Sequence, residues 1–131
     1  MILIIDDDIA VRTSLLLLLQ KEGYTVKGVA APDEALSAIH KQKPQLIILD
    51  LNFSIATTGD EGLALLNSIK KLYAEIPVIL ITGWGSIDLA VRGMKMGAAD
   101  FINKPWSNEH LLQTIKTVSY THLTLPTNRE V

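Results

Sequence analysis

Short apolar runs alternate with longer segments of helical period along most of this chain. The clearest run is Leu46–Leu49, which includes the β-branched pair Ile47 and Ile48. This composition is typical of a strand that is buried on both faces of a sheet. Similar runs predict the other strands, at residues 2–5, 25–29, 78–81 and 100–102. An acid, Asp50, directly follows the run at 46–49, and the other candidate site residues are best understood in relation to it.

Helical segments separate the predicted strands. Apolar residues recur in them every three or four positions, and residues such as Asp8, Pro32 and Gly23 stand where helices begin or end. The predicted helices cover about 9–22 and 32–41 and begin near 62, 87 and 108, whereas residues 51–61 predict a loop. This strand–helix order, repeated five times, predicts an α/β fold with a five-stranded parallel sheet and helices on both faces.

The last residues differ from the rest of the chain. From about Val118 the sequence loses its helical period, gains threonine and contains Pro126. We therefore predict a domain over residues 1–117 and a separate tail over residues 118–131. The tail has the character of a cloning-derived extension, and a native flexible linker is the alternative.

Composition narrows the class of protein. A length of 131 residues suits one domain with a real core. The net charge of −2, without a basic stripe, argues against direct contact with nucleic acid. Cysteine is absent, which excludes disulfides and thiolate metal sites. Because the apolar runs are too short to cross a bilayer and Met1 precedes no basic signal segment, we expect a cytoplasmic protein without membrane contact.

Polar side chains follow four of the predicted strands. Asp6–Asp8 follow the first strand, Asp50 the third, Thr82 the fourth and Lys104 the fifth. Each alone is a weak signal, because Asp often caps helices, Thr often lies in turns and Lys is common at surfaces. The carboxyl ends of parallel strands meet at one edge of a sheet, where ligands bind. We therefore expect these side chains to converge on one small site.

Such a set of side chains has a definite chemistry. Asp6, Asp7 and Asp50 would repel one another unless a cation lay between them, and an all-oxygen site with room for water favours Mg²⁺. Lys104 offers a second positive charge, Thr82 offers a hydroxyl, and a carboxylate can act as a nucleophile that forms an aspartyl-phosphate. The residues therefore predict magnesium-dependent phosphoryl transfer.

The set Asp6-Asp7, Asp50, Thr82-Gly83 and Lys104-Pro105, in this order and on these strands, resembles the receiver domain of bacterial two-component response regulators. The resemblance covers residues 2 to about 117 and implies a flavodoxin/CheY-like doubly wound fold. The stretch from Thr82 to Trp106 is similar to receivers of the NtrC-like group. Those receivers usually precede an AAA+ ATPase and a DNA-binding helix-turn-helix that act with sigma-54 polymerase.

The resemblance assigns a role to each acid. Asp50 is implied to be the phospho-acceptor. Asp7, Asp50 and the backbone carbonyl of Asn52 are implied to bind Mg²⁺ directly, while Asp6 acts mostly through water. Asp8, the third acid of its run, is expected to cap a helix or to remain a solvated charge.

The resemblance also implies a switch and its partners. Lys104 is implied to contact the phosphoryl group, Thr82 to hydrogen-bond it, Phe101 to be the switch aromatic, and the Lys104–Pro105 bond to be cis. A sensor histidine kinase would donate the phosphoryl group, and the readers of the signal would be an output domain of a longer regulator or a homodimer. The domain itself is then no enzyme beyond its own phosphorylation and dephosphorylation.

Two features depart from the receiver pattern. Phe53-Ser54 stand where receivers commonly carry Met-Pro, and the loop up to Gly62 is roughly four residues longer than usual, within what a surface loop tolerates. These departures affect the expected shape of the loop and of the kinase-docking edge, but they remove no residue that the chemistry needs.

A second hypothesis is a phosphatase similar to the haloacid dehalogenases. In that case Asp6 is the nucleophile, Asp8 the acid/base, Thr82 the hydroxyl residue and Lys104 the lysine. That family needs a further acidic motif after the lysine, and here only Glu109 precedes the tail. The receiver hypothesis is therefore favoured.

Overall fold

Strands and helices alternate along the chain, as the sequence pattern predicts. The computed structural model describes residues 1–51, 60–83 and 87–130, and for residues 121–130 it describes the backbone alone. The strands are β1 (Ile2–Ile5), β2 (Val26–Val29), β3 (Leu46–Asp50), β4 (Val78–Thr82) and β5 (Asp100–Asn103). The helices are α1 (Ile9–Lys21), α2 (Pro32–Lys41), α3 (Asp60–Leu72), α4 (Ile87–Lys95) and α5 (Asn108–Glu130).

The five strands form one parallel sheet in the order β2-β1-β3-β4-β5. The chain therefore moves from β1 to one edge, returns across β1 to β3, and continues to the other edge. This is the doubly wound arrangement in which the strand order reverses between β1 and β3, so the predicted fold class is confirmed. Ligands of such sheets bind at the carboxyl ends of the strands beside that reversal.

The core has two layers, one on each face of the sheet. Leu49 and its neighbours pack against α2, α3 and α4, whereas Ile48 and its neighbours pack against α1 and α5. This alternation follows from the strand period of two, which sends successive side chains to opposite faces. Because β1, β3 and β4 are apolar on both faces and buried throughout, the polar residues at their ends stand out from these three strands.

Local signals fix several helix ends where the sequence predicts them. The Asp8 carboxylate accepts a hydrogen bond from the Ala10 N–H at 2.9 Å and caps α1. Pro32 opens α2, and Ser107 Oγ accepts a hydrogen bond from the His110 N–H at 3.1 Å at the start of α5. Gly23 follows α1 with a φ of 93°, the left-handed conformation that glycine adopts at little cost.

Two boundaries differ from the prediction. Helix α3 already begins at Asp60, inside the predicted loop, because acids in a first helical turn interact favourably with the N-terminal end of the helix dipole. Helix α5 continues to Glu130, past the predicted end near Thr117. Val118 is still buried in the core, and extending an existing helix fixes only one further residue per hydrogen bond. The origin of residues 118–131 stays a prediction.

Within the described residues, no helix combines the length and apolar character that crossing a bilayer requires.

Candidate functional site

Four neighbouring strands bring the predicted site residues to one edge of the sheet. Asp6 directly follows β1, Asp50 ends β3, Thr82 ends β4 and Lys104 directly follows β5. These strands lie side by side and run parallel, so their carboxyl ends share an edge. The convergence expected from the sequence is therefore present in the structure.

Three carboxylates form the acidic part of this site. One oxygen each of Asp6, Asp7 and Asp50 lie within 4.8 Å of one another. Asp6 and Asp50 are only 1% and 2% exposed, whereas Asp7 is exposed. Asp7 thus gives the buried pair an open side from which an ion and its water can enter. Three hard oxygen ligands with such an opening match the coordination that Mg²⁺ prefers.

Asp6 carries the strongest electrostatic sign that this site binds a cation. Its Oδ1 accepts a hydrogen bond from the Asp8 N–H at 2.9 Å, but its Oδ2 is buried and has no hydrogen-bond partner among the described residues. Burial, followed by the negative charge of Asp50, raises the pKa of Asp6 from 3.8 to about 7. A divalent cation with its bound water would satisfy the orphaned oxygen and offset the repulsion between the two carboxylates, so the residues present fit Mg²⁺.

Lys104 supplies the positive charge that the described residues place closest to Asp50. Its Nζ lies 3.5 Å from Asp50 Oδ1, and its side chain is 29% exposed. The ammonium therefore faces the buried carboxylate while remaining in contact with water. From this position it can neutralise negative charge that develops on oxygens around Asp50.

Thr82 is fully buried, and its hydroxyl has a partner in the next strand. Its Oγ1 donates a hydrogen bond to Asn103 Oδ1 at 2.7 Å. Thr82 and Asn103 are paired in the register of β4 and β5, and the Lys104 N–H donates to the Thr82 carbonyl at 2.7 Å. The ends of these two strands are thus tied by both backbone and side chains.

Phe101 and Pro105 flank the lysine. Phe101 is half-buried and packs against the core layer that contacts α2, α3 and α4. The Lys104–Pro105 peptide bond is cis, in agreement with the resemblance. Asn52, whose carbonyl was expected to bind the metal, lies outside the described residues.

Two residues at the site were not singled out by the sequence. Arg12 donates a hydrogen bond from Nη1 to the Asp6 carbonyl at 2.8 Å and so fixes the backbone that carries the first acid. Asn103 Oδ1 accepts the hydrogen bond that the Thr82 hydroxyl donates. The only signal for Arg12 is its place one helical turn after Asp8. For Asn103 the only signal is its place just before Lys104, since the register that pairs it with Thr82 is a property of the folded sheet.

Comparison with known proteins agrees with this geometry. The family described as "Response regulator receiver domain" matches residues 2–116. A "Putative response regulator NtrX-like" of Rickettsia typhi is 38% identical over 115 residues, which are 88% of this chain and 24% of that protein. The "Nitrogen assimilation regulatory protein NtrX" of Azorhizobium caulinodans is 38% identical over 111 residues, which are 85% of this chain and 24% of that protein. The chain therefore spans about a quarter of the length of these curated relatives.

A solved structure has the same architecture. The receiver domain of NtrX from Brucella abortus superposes with a TM-score of 0.86 at 36% sequence identity. The match covers 92% of this chain and 99% of that domain. The described fold is thus that of a complete domain in a solved relative.

Proposed function

Because this chain belongs to the response regulator receiver domain family, we propose that it is a phosphorylation-activated switch whose acceptor is Asp50. The observation that carries the assignment is the position of Asp50. Its carboxylate is buried at the end of β3, shares a cluster of acids with Asp6 and Asp7, and lies 3.5 Å from the Lys104 ammonium. No other acid of the described site combines these three features.

The transfer step follows from these contacts. An Asp50 carboxylate oxygen attacks the phosphorus of a phosphohistidine on a sensor histidine kinase. The new O–P bond forms as the N–P bond breaks, and the electron pair of the N–P bond returns to the imidazole nitrogen. Lys104 balances negative charge on the transferred group, and Asp6 and Asp7 provide the other carboxylates of the site.

Mg²⁺ is the cofactor we assign to the cluster of acids. When bound, it would neutralise negative charge on the phosphoryl oxygens and orient the phosphoryl group for attack by the carboxylate. Asp7 and Asp50 would bind it directly and Asp6 through water, with the Asn52 carbonyl completing the set. The orphaned Oδ2 of Asp6 supports this assignment.

Phosphorylation then shifts a conformational equilibrium. The phosphoryl group on Asp50 offers an acceptor to the Thr82 hydroxyl, and we expect Phe101 to turn inward as Thr82 moves. The elements that follow these two residues, α4 and α5, carry the change to a partner. The NtrX relatives favour an output domain that acts with sigma-54 polymerase through an AAA+ ATPase and a DNA-binding helix-turn-helix. Such a regulator would act in the cytoplasm, with this domain itself contacting neither nucleic acid nor membrane.

The phosphatase hypothesis has no support from these findings. It requires Asp8 as an acid/base, but the Asp8 side chain is exposed and caps α1 by accepting the Ala10 N–H. The family match and the solved relative both point to a receiver instead.

Intact mass after incubation with acetyl phosphate and Mg²⁺ tests the proposal. We expect one added phosphoryl group on this chain, much less of it in EDTA, and none on Asp50→Asn. Asp33→Asn, an exposed acid in the first turn of α2, is the matched control and should be phosphorylated like the wild type. An adduct that persists in Asp50→Asn but disappears in Asp6→Asn would move the nucleophile to Asp6 and overturn the assignment.

A further inference from the structure

The Thr82 hydroxyl has a single proton to donate, and in this structure it donates that proton in a hydrogen bond to Asn103. A threonine hydroxyl donates one hydrogen bond, and here that bond goes to Asn103 Oδ1 at 2.7 Å, the usual distance for a well-formed bond of this type. A phosphoryl group on Asp50 needs the same proton. The two acceptors therefore compete for Thr82, and the bond to Asn103 must break before Thr82 can donate to the phosphoryl group.

The two partners differ in their exposure to water. Thr82 is fully buried, whereas Asn103 is exposed and lines a groove of about 510 Å³ beside β5, next to Phe101. When the hydrogen bond breaks, water can hydrate the Asn103 amide at once, and the phosphoryl oxygen replaces Asn103 as the acceptor from Thr82. Breaking the bond therefore leaves no buried polar group without a partner, and its cost stays near the net value of one exchanged hydrogen bond.

The backbone places Asn103 for this role. It is paired with Thr82 in the register of the sheet, so both side chains leave the same face of β4 and β5. The next residue is Lys104, whose ammonium contacts Asp50. The end of β5 thus carries one group that attracts the phosphoryl group and one group that competes with it for Thr82.

From this geometry we propose that Asn103 is a positioning residue that holds Thr82 in the unphosphorylated arrangement and thereby weakens the response of the switch to phosphoryl ligands. The proposal rests on the proposed function of Asp50 and adds the residue that opposes it. Since only a fraction of molecules has Thr82 free to donate, the apparent affinity for a phosphoryl ligand is lowered by that fraction.

Titration of the full chain with beryllium trifluoride, a phosphoryl analogue, in saturating Mg²⁺ tests the proposal. By calorimetry we expect Asn103→Leu and Asn103→Ala to bind the analogue roughly two- to tenfold more tightly than the wild type, the range that one net hydrogen bond allows. Asn103→Asp keeps the accepting oxygen and should bind no more tightly than the wild type. Asn108→Ala, an exposed asparagine in the first turn of α5, is the matched control and should show no change.

A double-mutant cycle separates this role from a general effect on the fold. In a Thr82→Val background the hydroxyl is gone, so Asn103→Leu should no longer change the affinity for the analogue. Affinity for Mg²⁺ alone should be equal in all Asn103 variants. An unchanged affinity in Asn103→Leu and Asn103→Ala, or an increase that persists in Thr82→Val, would overturn the role of Asn103 while leaving Asp50 as the acceptor. A wild-type chain that neither binds the analogue nor accepts a phosphoryl group would overturn both proposals.

Discussion

The environment of Asp6 strongly disfavours its ionised form. Its carboxylate is 1% exposed, lies beside the buried Asp50, and leaves one oxygen without a hydrogen-bond partner among the described residues. Each of these features penalises the ionised form in the absence of a cation. A residue that served the fold alone would be better as an apolar side chain, so its presence favours ligand binding over packing.

The stability of the domain without a cation should therefore depend on pH through Asp6. The folded chain holds this proton up to about pH 7, whereas the unfolded chain loses it near pH 3.8. Between these values the folded state binds more protons, so the free energy of unfolding should fall with rising pH, by at most about 1.4 kcal/mol per pH unit. Urea unfolding in EDTA at several pH values measures this slope.

Asp6→Asn is the matched variant for that measurement. It cannot ionise, so the contribution of Asp6 to the slope should disappear and the variant should be more stable than the wild type at pH 8 in EDTA. Saturating Mg²⁺ should flatten the wild-type slope as well, because the cation compensates the ionised carboxylate. An equally steep slope in Asp6→Asn would show that Asp6 does not carry the penalty.

At the scale of elements, α3 is tied to the strand that carries Asp50. Gly62 lies in the first turn of this helix, and a Cβ at its position would stand 2.8 Å from both the Cα and the carbonyl oxygen of Leu51. Leu51 directly follows Asp50, and its N–H donates to the Ile81 carbonyl at 3.0 Å. The helix approaches the backbone of the site so closely that only hydrogen fits between them.

Gly62→Ala should accordingly destabilise the domain although alanine favours helices. Overpacking usually costs about 1–3 kcal/mol, and we expect the upper part of that range, about 2–3 kcal/mol, because the contacted backbone atoms cannot move aside as a side chain can. This cost exceeds the gain in helix propensity of about 1 kcal/mol. We expect a net loss of about 1–2 kcal/mol in urea unfolding and a weaker affinity for Mg²⁺, since Leu51 and Asp50 shift together. Asn67→Ala, at an exposed position of α3, is the control and should be neutral or slightly stabilising. Equal effects of the two substitutions would contradict the close contact.

The strands and most helices were predictable because their signals are local. The apolar run before Asp50, the cap at Asp8 and the glycine at position 23 each act within a few residues and are readable directly from the chain. The position of each acid, hydroxyl and ammonium at a strand end follows from the same runs. The bond from Thr82 to Asn103 was not predictable, because it depends on the register between two strands that lie 21 residues apart.

At the scale of the molecule, the strand order of the sheet brings residues that are distant in sequence together in one site. The reversal of strand order between β1 and β3 places the acids of β1 beside Asp50, and β4 and β5 add Thr82 and Lys104 along the same edge. The alternation of strands and helices predicted a parallel sheet, and the resemblance supplied its doubly wound form. The length of α5 was misjudged because the sequence loses its apolar period where the backbone continues as a helix.

The packing of α5 indicates where the folded domain ends along the chain, and truncation can test this boundary. Its buried apolar side chains in the described part of the helix are Leu111, Ile115 and Val118. The family match ends at residue 116, two residues before the last of these. Most helical stability in proteins comes from tertiary packing, and all three of these buried side chains remain in a chain that stops at Tyr120. A chain that stops at Tyr120 should therefore have a free energy of unfolding within about 1 kcal/mol of that of the full chain, and it should bind Mg²⁺ with the same affinity.

A chain that stops at His110 provides the contrast. It loses all three buried side chains of α5. Removing a buried leucine or isoleucine side chain costs about 2–5 kcal/mol, so the combined loss approaches the whole free energy of unfolding of a small domain. Urea unfolding followed by circular dichroism should thus show a cooperative transition for the chain ending at Tyr120 and none for the chain ending at His110. If the chain ending at Tyr120 were also strongly destabilised, residues 121–131 would belong to the folded domain, and the predicted boundary near residue 117 would be wrong.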